Sequence, residues 1–238
     1  MNQTNRYKMI LFDLDDTLTN TTSTKEEVFK NLYQDIRELK QISIEKYLTA
    51  VKECREKYFN KLIHKGFNTY ARIEFWMNVM KNLNIELSIN SYTNIVNKYW
   101  EYSIKAIKLN PRVLNTLRTL SKKSMLLSIA TEGDFISKVS KLINLKIEKF
   151  FKYLFTTEIV QEPKNTGKLF KYILDFTKIE PSKIIMVGDK LSEDIIPAKK
   201  LGIKTVLYTN SKKENNKFLN TSASDYVIED FRKLLKII

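Results

Sequence analysis

Glycine is scarce in this chain. Five glycines occur in 238 residues, at Gly66, Gly133, Gly167, Gly188 and Gly202, where an average chain has roughly 7%. Neither a G-x-G-x-x-G fingerprint nor a G-x-x-x-x-G-K-[ST] loop can be written with that spacing, which argues against a dinucleotide-binding dehydrogenase and a P-loop nucleotide hydrolase. Cysteine is scarcer still: Cys54 stands alone, so no internal disulfide forms, and its Lys/Glu-rich, helix-like surroundings offer no partner histidine, which makes it structural. The single histidine, His64 in KLIHKGFN, reads as a turn or surface residue, which argues against a Ser-His-Asp hydrolase and a His-ligated metal centre. No apolar run approaches the roughly 18 residues of a membrane helix, and MNQTNRYKMILFDLDD carries no secretory pattern. The expected place is the cytoplasm, without a membrane partner. Acidic residues are outnumbered, 27 against 41 Lys and Arg, for a formal charge of +14. In a chain rich in Lys, Asn and Ile, that excess reads mainly as solvated surface.

With 43% hydrophobic and 29% charged residues, the composition is that of a soluble globular protein able to bury a core. Four short apolar runs, at 9–12, 125–130, 184–187 and 203–208, have the look of strands buried on both faces. Weaker candidates lie at 153–155 and 226–228. Helical periodicity fills 111–120, 135–144, 166–176, 192–201 and 229–237. This alternation predicts an α/β fold, a Rossmann-like parallel-sheet core. More than a hundred residues separate the first strand from the second, far beyond the roughly 30 of a βαβ unit. Residues 20–107 show no convincing strand and read as helices near 24–38, 44–62, 71–83 and 88–106. The predicted organisation is a core of 1–19 and 108–238 with an inserted all-helical cap of 20–107.

Three strong strands run directly into polar residues: Asp13 with Asp15, Thr131 with Glu132, and Gly188 with Asp189. Ligands of open parallel sheets bind outside the carboxyl ends of the strands, so these residues converge on one crevice. Asp13 and Asp15, two apart in an extended segment, point to the same side. One can attack a phosphoryl group while the other handles protons. Asp189 and Asp194, in VGDKLSED, add the hard oxygen ligands that Mg²⁺ requires. Thr131 can hold phosphate oxygens, and Lys164, ahead of a helix, can neutralise the transferring phosphoryl.

Together these segments resemble the four motifs of the haloacid dehalogenase superfamily, in order: DLDDT at 13–17, ATEG at 130–133, a lysine before a helix, and GDKLSED at 188–194. The resemblance implies that Asp13 is the nucleophile, Asp15 the acid/base and Thr131 a phosphate ligand, with Lys164 the motif lysine. It gives Asp189 and Asp194, with Asp13 and the Asp15 carbonyl, to Mg²⁺. Two departures stand out. The family pattern places Lys directly before Pro and six residues before Phe; here the order is Glu162, Pro163, Lys164, and Phe170 keeps the six-residue spacing to Lys164, which is preferred to Lys168. Glu132 replaces the usual Asn or Asp of the second motif and joins Thr131 as a substrate-binding candidate.

Dehalogenases of this fold lack the second aspartate, so Asp15 argues against halide displacement. The resemblance implies a phosphatase for a small phosphorylated metabolite, working as monomer or dimer, with the cap contributing specificity contacts; Arg72 is the leading candidate, beside Tyr70, Trp76 and Lys65. A phosphomutase shares this core. A nucleic-acid-binding role for the paired lysines at 122–123, 199–200 and 212–213 lacks a recognised module, and a non-catalytic interaction protein has no physical reason to keep so many carboxylates together.

Overall fold

The computed structural model describes residues 6–62, 73–209 and 223–238, apart from the side chains of 58–62. The chain adopts the expected α/β fold. Six strands, β1 (Met9–Phe12), β2 (Leu126–Thr131), β3 (Tyr153–Thr156), β4 (Ile184–Gly188), β5 (Lys204–Tyr208) and β6 (Tyr226–Ile228), form one sheet in the order 3-2-1-4-5-6. Every pairing is parallel. A parallel sheet is covered on both faces, and alternation along the strands shows how. Ile10 and Phe12 of β1, with Ile185 and Val187 of β4, join one cluster with Val113, Leu117 and Leu120 of α5 (Val113–Leu120), Leu142 of α6 (Phe135–Asn144) and Leu234 of α9 (Leu234–Ile237). Met9, Leu11, Ile184 and Met186 turn the other way, onto Leu169, Phe170 and Ile173 of α7 (Lys168–Thr177) and Ala198 of α8 (Ile196–Lys200). The result is a three-layer sandwich.

Two compact units account for the chain, Met1–Asn20 with Lys108–Ile238, and Thr21–Ile107. The second contains α1 (Lys25–Asp35), α2 (Ile44–Leu62), α3 (Ile73–Leu83) and α4 (Ile89–Ala106), and no strand among its described residues. Its core is its own. Val28, Phe29, Leu32, Tyr47, Phe75, Trp76, Val79 and Tyr99 pack together, with Trp76 meeting the rings of Phe75, Tyr99 and Phe29 at 5.2, 6.3 and 6.4 Å. Trp76, fully buried here, packs in the insert's core, which is the more frequent place for an aromatic at helical spacing. Cys54 is buried on α2. Arg72, Tyr70, Lys65 and His64 lie outside the described residues. No helix among the described residues is long and apolar enough to cross a membrane.

The two crossings into the inserted unit are tied together on the core side. Thr19 and Leu109 form an antiparallel bridge, the Asn20 N–H donates to the Lys108 carbonyl at 3.1 Å, and the Lys108 N–H donates to Asn20 Oδ1 at 2.8 Å. Asn110, 4% exposed, donates its side-chain amide to the carbonyls of Thr17 and Thr19 at 2.8 and 3.1 Å. One buried amide thus holds the loop after β1 against the returning segment at Leu109 and Asn110.

Candidate active site

The sheet order places β1 beside β4, on opposite sides of the point where the chain reverses its direction across the sheet. That switch point is where open α/β sheets bind ligands. β1 ends with Phe12, and the Asp13 N–H donates to the Val187 carbonyl at 2.9 Å, so the two strand ends are stitched just where each releases an aspartate. Asp13 is buried and Asp189 partly so. Beyond Asp189 the chain makes a single π-helical turn, Leu191–Ile195. That turn carries Asp194 back over the strand end, with the Lys190 N–H donating to Asp194 Oδ2 at 2.9 Å. Gly188 is required there because a Cβ would fall inside the Asp194 carboxyl group. The outcome is three carboxylates whose ligand oxygens all lie within 4.8 Å of one another.

Lys164 occupies a one-turn 3-10 helix, Lys164–Thr166, just before α7. It is 1% exposed, and its Nζ donates to Asp13 Oδ1 at 2.9 Å and to Asp194 Oδ1 at 2.5 Å. Lys168, by contrast, is exposed and pairs with Glu162 at 2.5 Å. Burial opposes the charge on Lys164, yet the carboxylates of Asp13 and Asp194 outweigh it and hold the ammonium above the usual lysine range. Asp194 is pushed up to about 7, by burial first and then by the negative charges of Asp13 and Asp189, against the pull of Lys164. Three carboxylates at this spacing repel one another. A divalent cation bound by hard oxygens would answer all three, so the donor set fits a metal such as Mg²⁺.

Thr131 closes β2 and is buried at 1% exposure. It does not cap the next helix: Asp134 does, its Oδ1 accepting from the Ser137 N–H at 2.8 Å. Glu132 turns sideways along the strand ends. Its Oε2 accepts from the Lys164 backbone N–H at 2.9 Å and its Oε1 from the Thr157 hydroxyl at 3.3 Å, while the Thr157 oxygen accepts from the Gly133 N–H at 2.8 Å. Burial raises the Glu132 carboxyl above its ordinary value. These bonds brace the turn bearing Lys164, so the longer acid at this position serves as a strut between loops.

Asp15 stands outside the triad of metal-fit acids. Its two oxygens accept from Lys138 Nζ and from Lys141 Nζ, the latter at 2.5 Å, both on α6. Burial alone would raise this carboxyl, but the two ammoniums hold it well below the usual carboxylate range. The residue after it, Asp16, turns the chain with φ of 65°, in the left-handed region where aspartate is among the few tolerated residues. Lys138 and Lys141 were not legible as site residues in the sequence; the available signal was two lysines three apart within the apolar pattern of α6.

The haloacid dehalogenase-like hydrolase model matches residues 10–208. Along nearly its full length the chain is similar to a glyceraldehyde 3-phosphate phosphatase of Pyrococcus furiosus, 27% identical over 98% of this chain and 93% of that one. It is likewise similar to the pyrophosphatase PpaX of Oceanobacillus iheyensis, 23% identical over 97% and 96%. An L-2-haloacid dehalogenase shares the fold, with a TM-score of 0.76 at 14% identity over 97% of this chain and 98% of that one. The match extends from β1 to β5 and so takes in every strand end that bears one of the clustered aspartates: the chain belongs to the haloacid dehalogenase-like hydrolase family.

Proposed function

We propose that this haloacid dehalogenase-like phosphatase hydrolyses a small phosphate monoester through a covalent aspartyl phosphate on Asp13. The observation that carries the reading is the meeting of Asp13, Asp189 and Asp194 with Lys164 at the switch point. An Asp13 oxygen attacks phosphorus, and the bond from phosphorus to the ester oxygen breaks, with Asp15 giving the leaving alkoxide the proton it took from water in the preceding turnover and so returning to the carboxylate. Water then attacks the same phosphorus while Asp15 takes its proton, and the bond to Asp13 breaks to release phosphate. The ion pairs at Asp15 favour the carboxylate, the form this second step uses. Lys164 offsets charge on the nucleophile and the transferring group, and the Thr131 hydroxyl is the phosphate ligand. Asp13, Asp189 and Asp194, with the Asp15 carbonyl, would hold Mg²⁺, which when bound neutralises phosphoryl oxygens facing three acids.

Names among the relatives, a glyceraldehyde 3-phosphate phosphatase and a pyrophosphatase, support a small phosphorylated compound as substrate. The inserted helical unit at 20–107 is assigned the specificity contacts, Arg72 foremost. The test is hydrolysis of p-nitrophenyl phosphate, expected with Mg²⁺, abolished by EDTA and restored by added Mg²⁺. Asp13→Asn should form no phosphoenzyme. Full turnover in chelator removes the metal from the scheme, and wild-type kcat in Asp13→Asn removes the covalent step.

A further inference from the structure

Lys138 and Lys141 are more than Asp15 needs. The two lysines stand three residues apart, on one face of α6, and their side chains are only 8% and 5% exposed. Burying an ammonium is costly unless something answers its charge, and a carboxylate is answered by one. Here two ammoniums meet one carboxylate at contact distance; Asp16 adds only a longer-range attraction to Lys141. Each ammonium has three N–H donors, of which the Asp15 bonds use one apiece.

The surroundings are built to admit this charge. The arm of Lys138 lies against Gly133, in the ATEG loop that follows Thr131. A Cβ at Gly133 would approach its Cε to 3.2 Å and its Nζ to 3.6 Å, and the φ of +110° at Gly133 disfavours any side chain there. Lys138 therefore stands between the loop proposed to hold the phosphate and the carboxylate proposed to serve the leaving oxygen.

We propose that Lys138 and Lys141 form a subsite for negative charge on the leaving group, so that the enzyme prefers phosphorylated hydroxy acids and diphosphate over esters whose leaving group is neutral. The proposal rests on the phosphatase reading, because it is that reading which puts Asp15 beside the leaving oxygen. It specifies the chemistry on the far side of the scissile bond: a carboxylate or phosphate displaces or shares one ammonium of the pair, leaving the other on Asp15.

A matched pair of substrates tests it. 3-Phosphoglycerate and glyceraldehyde 3-phosphate share the phosphorylated carbon and differ in carboxylate against aldehyde. With Mg²⁺, wild type is expected to show about tenfold or more higher kcat/KM for the acid, as one charge-assisted contact gives, and to accept inorganic diphosphate. Lys138→Gln and Lys141→Gln are expected to bring the ratio towards one; Lys138→Arg keeps the cation and should keep the preference. Both lysines touch Asp15, so both activities will fall in the Gln variants, and the ratio is the readout. A parallel fall with an unchanged ratio means that the lysines only position Asp15, and overturns the subsite. Wild type that favours the aldehyde overturns it without any variant, which covers the case in which the Gln variants fail to fold. p-Nitrophenyl phosphate separates the two readings: wild type inert towards it with Mg²⁺ overturns the phosphatase and the subsite together, whereas activity on it with no preference for the acid overturns the subsite alone.

Discussion

At Lys164 one ammonium faces two buried carboxylates, and the physical consequence is measurable without any substrate. Removing one member of a buried ion cluster leaves uncompensated charge, which costs about 3–5 kcal/mol. Lys164→Met should accordingly lower the melting temperature in EDTA, and Mg²⁺ should recover a larger share of the loss than it adds to wild type, because a cation on the oxygens of Asp13 and Asp194 takes over part of the lysine's work. Equal Mg²⁺ stabilisation of both proteins would show that lysine and metal do not share those oxygens. Residues of this kind were legible in the sequence because an acid following an apolar run has few other reasons to be there. Asp13 and Asp189 could be named for that reason, whereas Lys164 was preferred to Lys168 on the family resemblance, through the six-residue spacing to Phe170. Lys138, Lys141 and Asn110 could not, since an abundant residue type gains meaning only from what the fold brings against it: Lys138 meets Asp15 across 123 positions and Asn110 meets Thr17 across 93.

Among the elements, the strands were read to within a residue: β1 and β4 are short apolar runs buried along their whole length, a pattern that does not depend on distant partners, whereas the partly exposed β3 and β6 gave the weaker signals. Helix ends were less legible. The stretch 192–201 has helical periodicity, yet it divides into a π turn and the short α8, because Asp194 is drawn back by the N–H of Lys190 and the ammonium of Lys164. Likewise α1 ends at Asp35, where Ile36 extends to bury its side chain in the insert's core.

One strand pairing carries its own pH signature. Asp225, just before β6, accepts from the hydroxyl and N–H of Thr205 at 2.9 and 3.0 Å and from Lys204 Nζ at 3.2 Å, pinning β6 to the start of β5. Burial would raise this carboxyl, but those bonds outweigh it and hold it below its ordinary value. A folded-state value below the unfolded one means the contribution is present above the unfolded pKa, roughly 3.9, and is lost as pH falls through the folded value. Asp225→Asn should therefore cost about 1–3 kcal/mol at pH 7, with the gap to wild type closing below about pH 4. Urea unfolding across that range checks it; a gap independent of pH would mean shape, and not charge, is what the side chain supplies.

At the scale of the whole molecule, the described apolar residues divide into three clusters: one runs from Val28 to Ala106 within the insert, and the other two lie on the two faces of the sheet. Separate cores imply separable stabilities. Trp76→Ala, which empties the centre of the insert, should cost about 3–5 kcal/mol and move an early calorimetric transition downward while leaving the one that belongs to the sheet in place. A single transition shifted as a whole would show that the units melt together. The distance between the first two strands predicts an insert of 20–107, whereas the contribution of Trp76 could not be read, since an aromatic at helical spacing looks the same whether it faces a ligand or a core.

The paired crossings at Thr19 and Leu109 give the architecture a property of a different kind, which is interchangeability. A segment whose first and last residues already lie side by side behaves as a cassette: its length enters the closure entropy only logarithmically. Asn110 makes that tolerance safe for the chemistry, because its buried amide fixes the Thr17–Thr19 backbone whatever lies beyond Asn20. A chain with such a seam offers residues 21–107 as the unit of exchange for an engineer, with the closing bonds at Thr19, Asn20, Lys108 and Leu109 left in place.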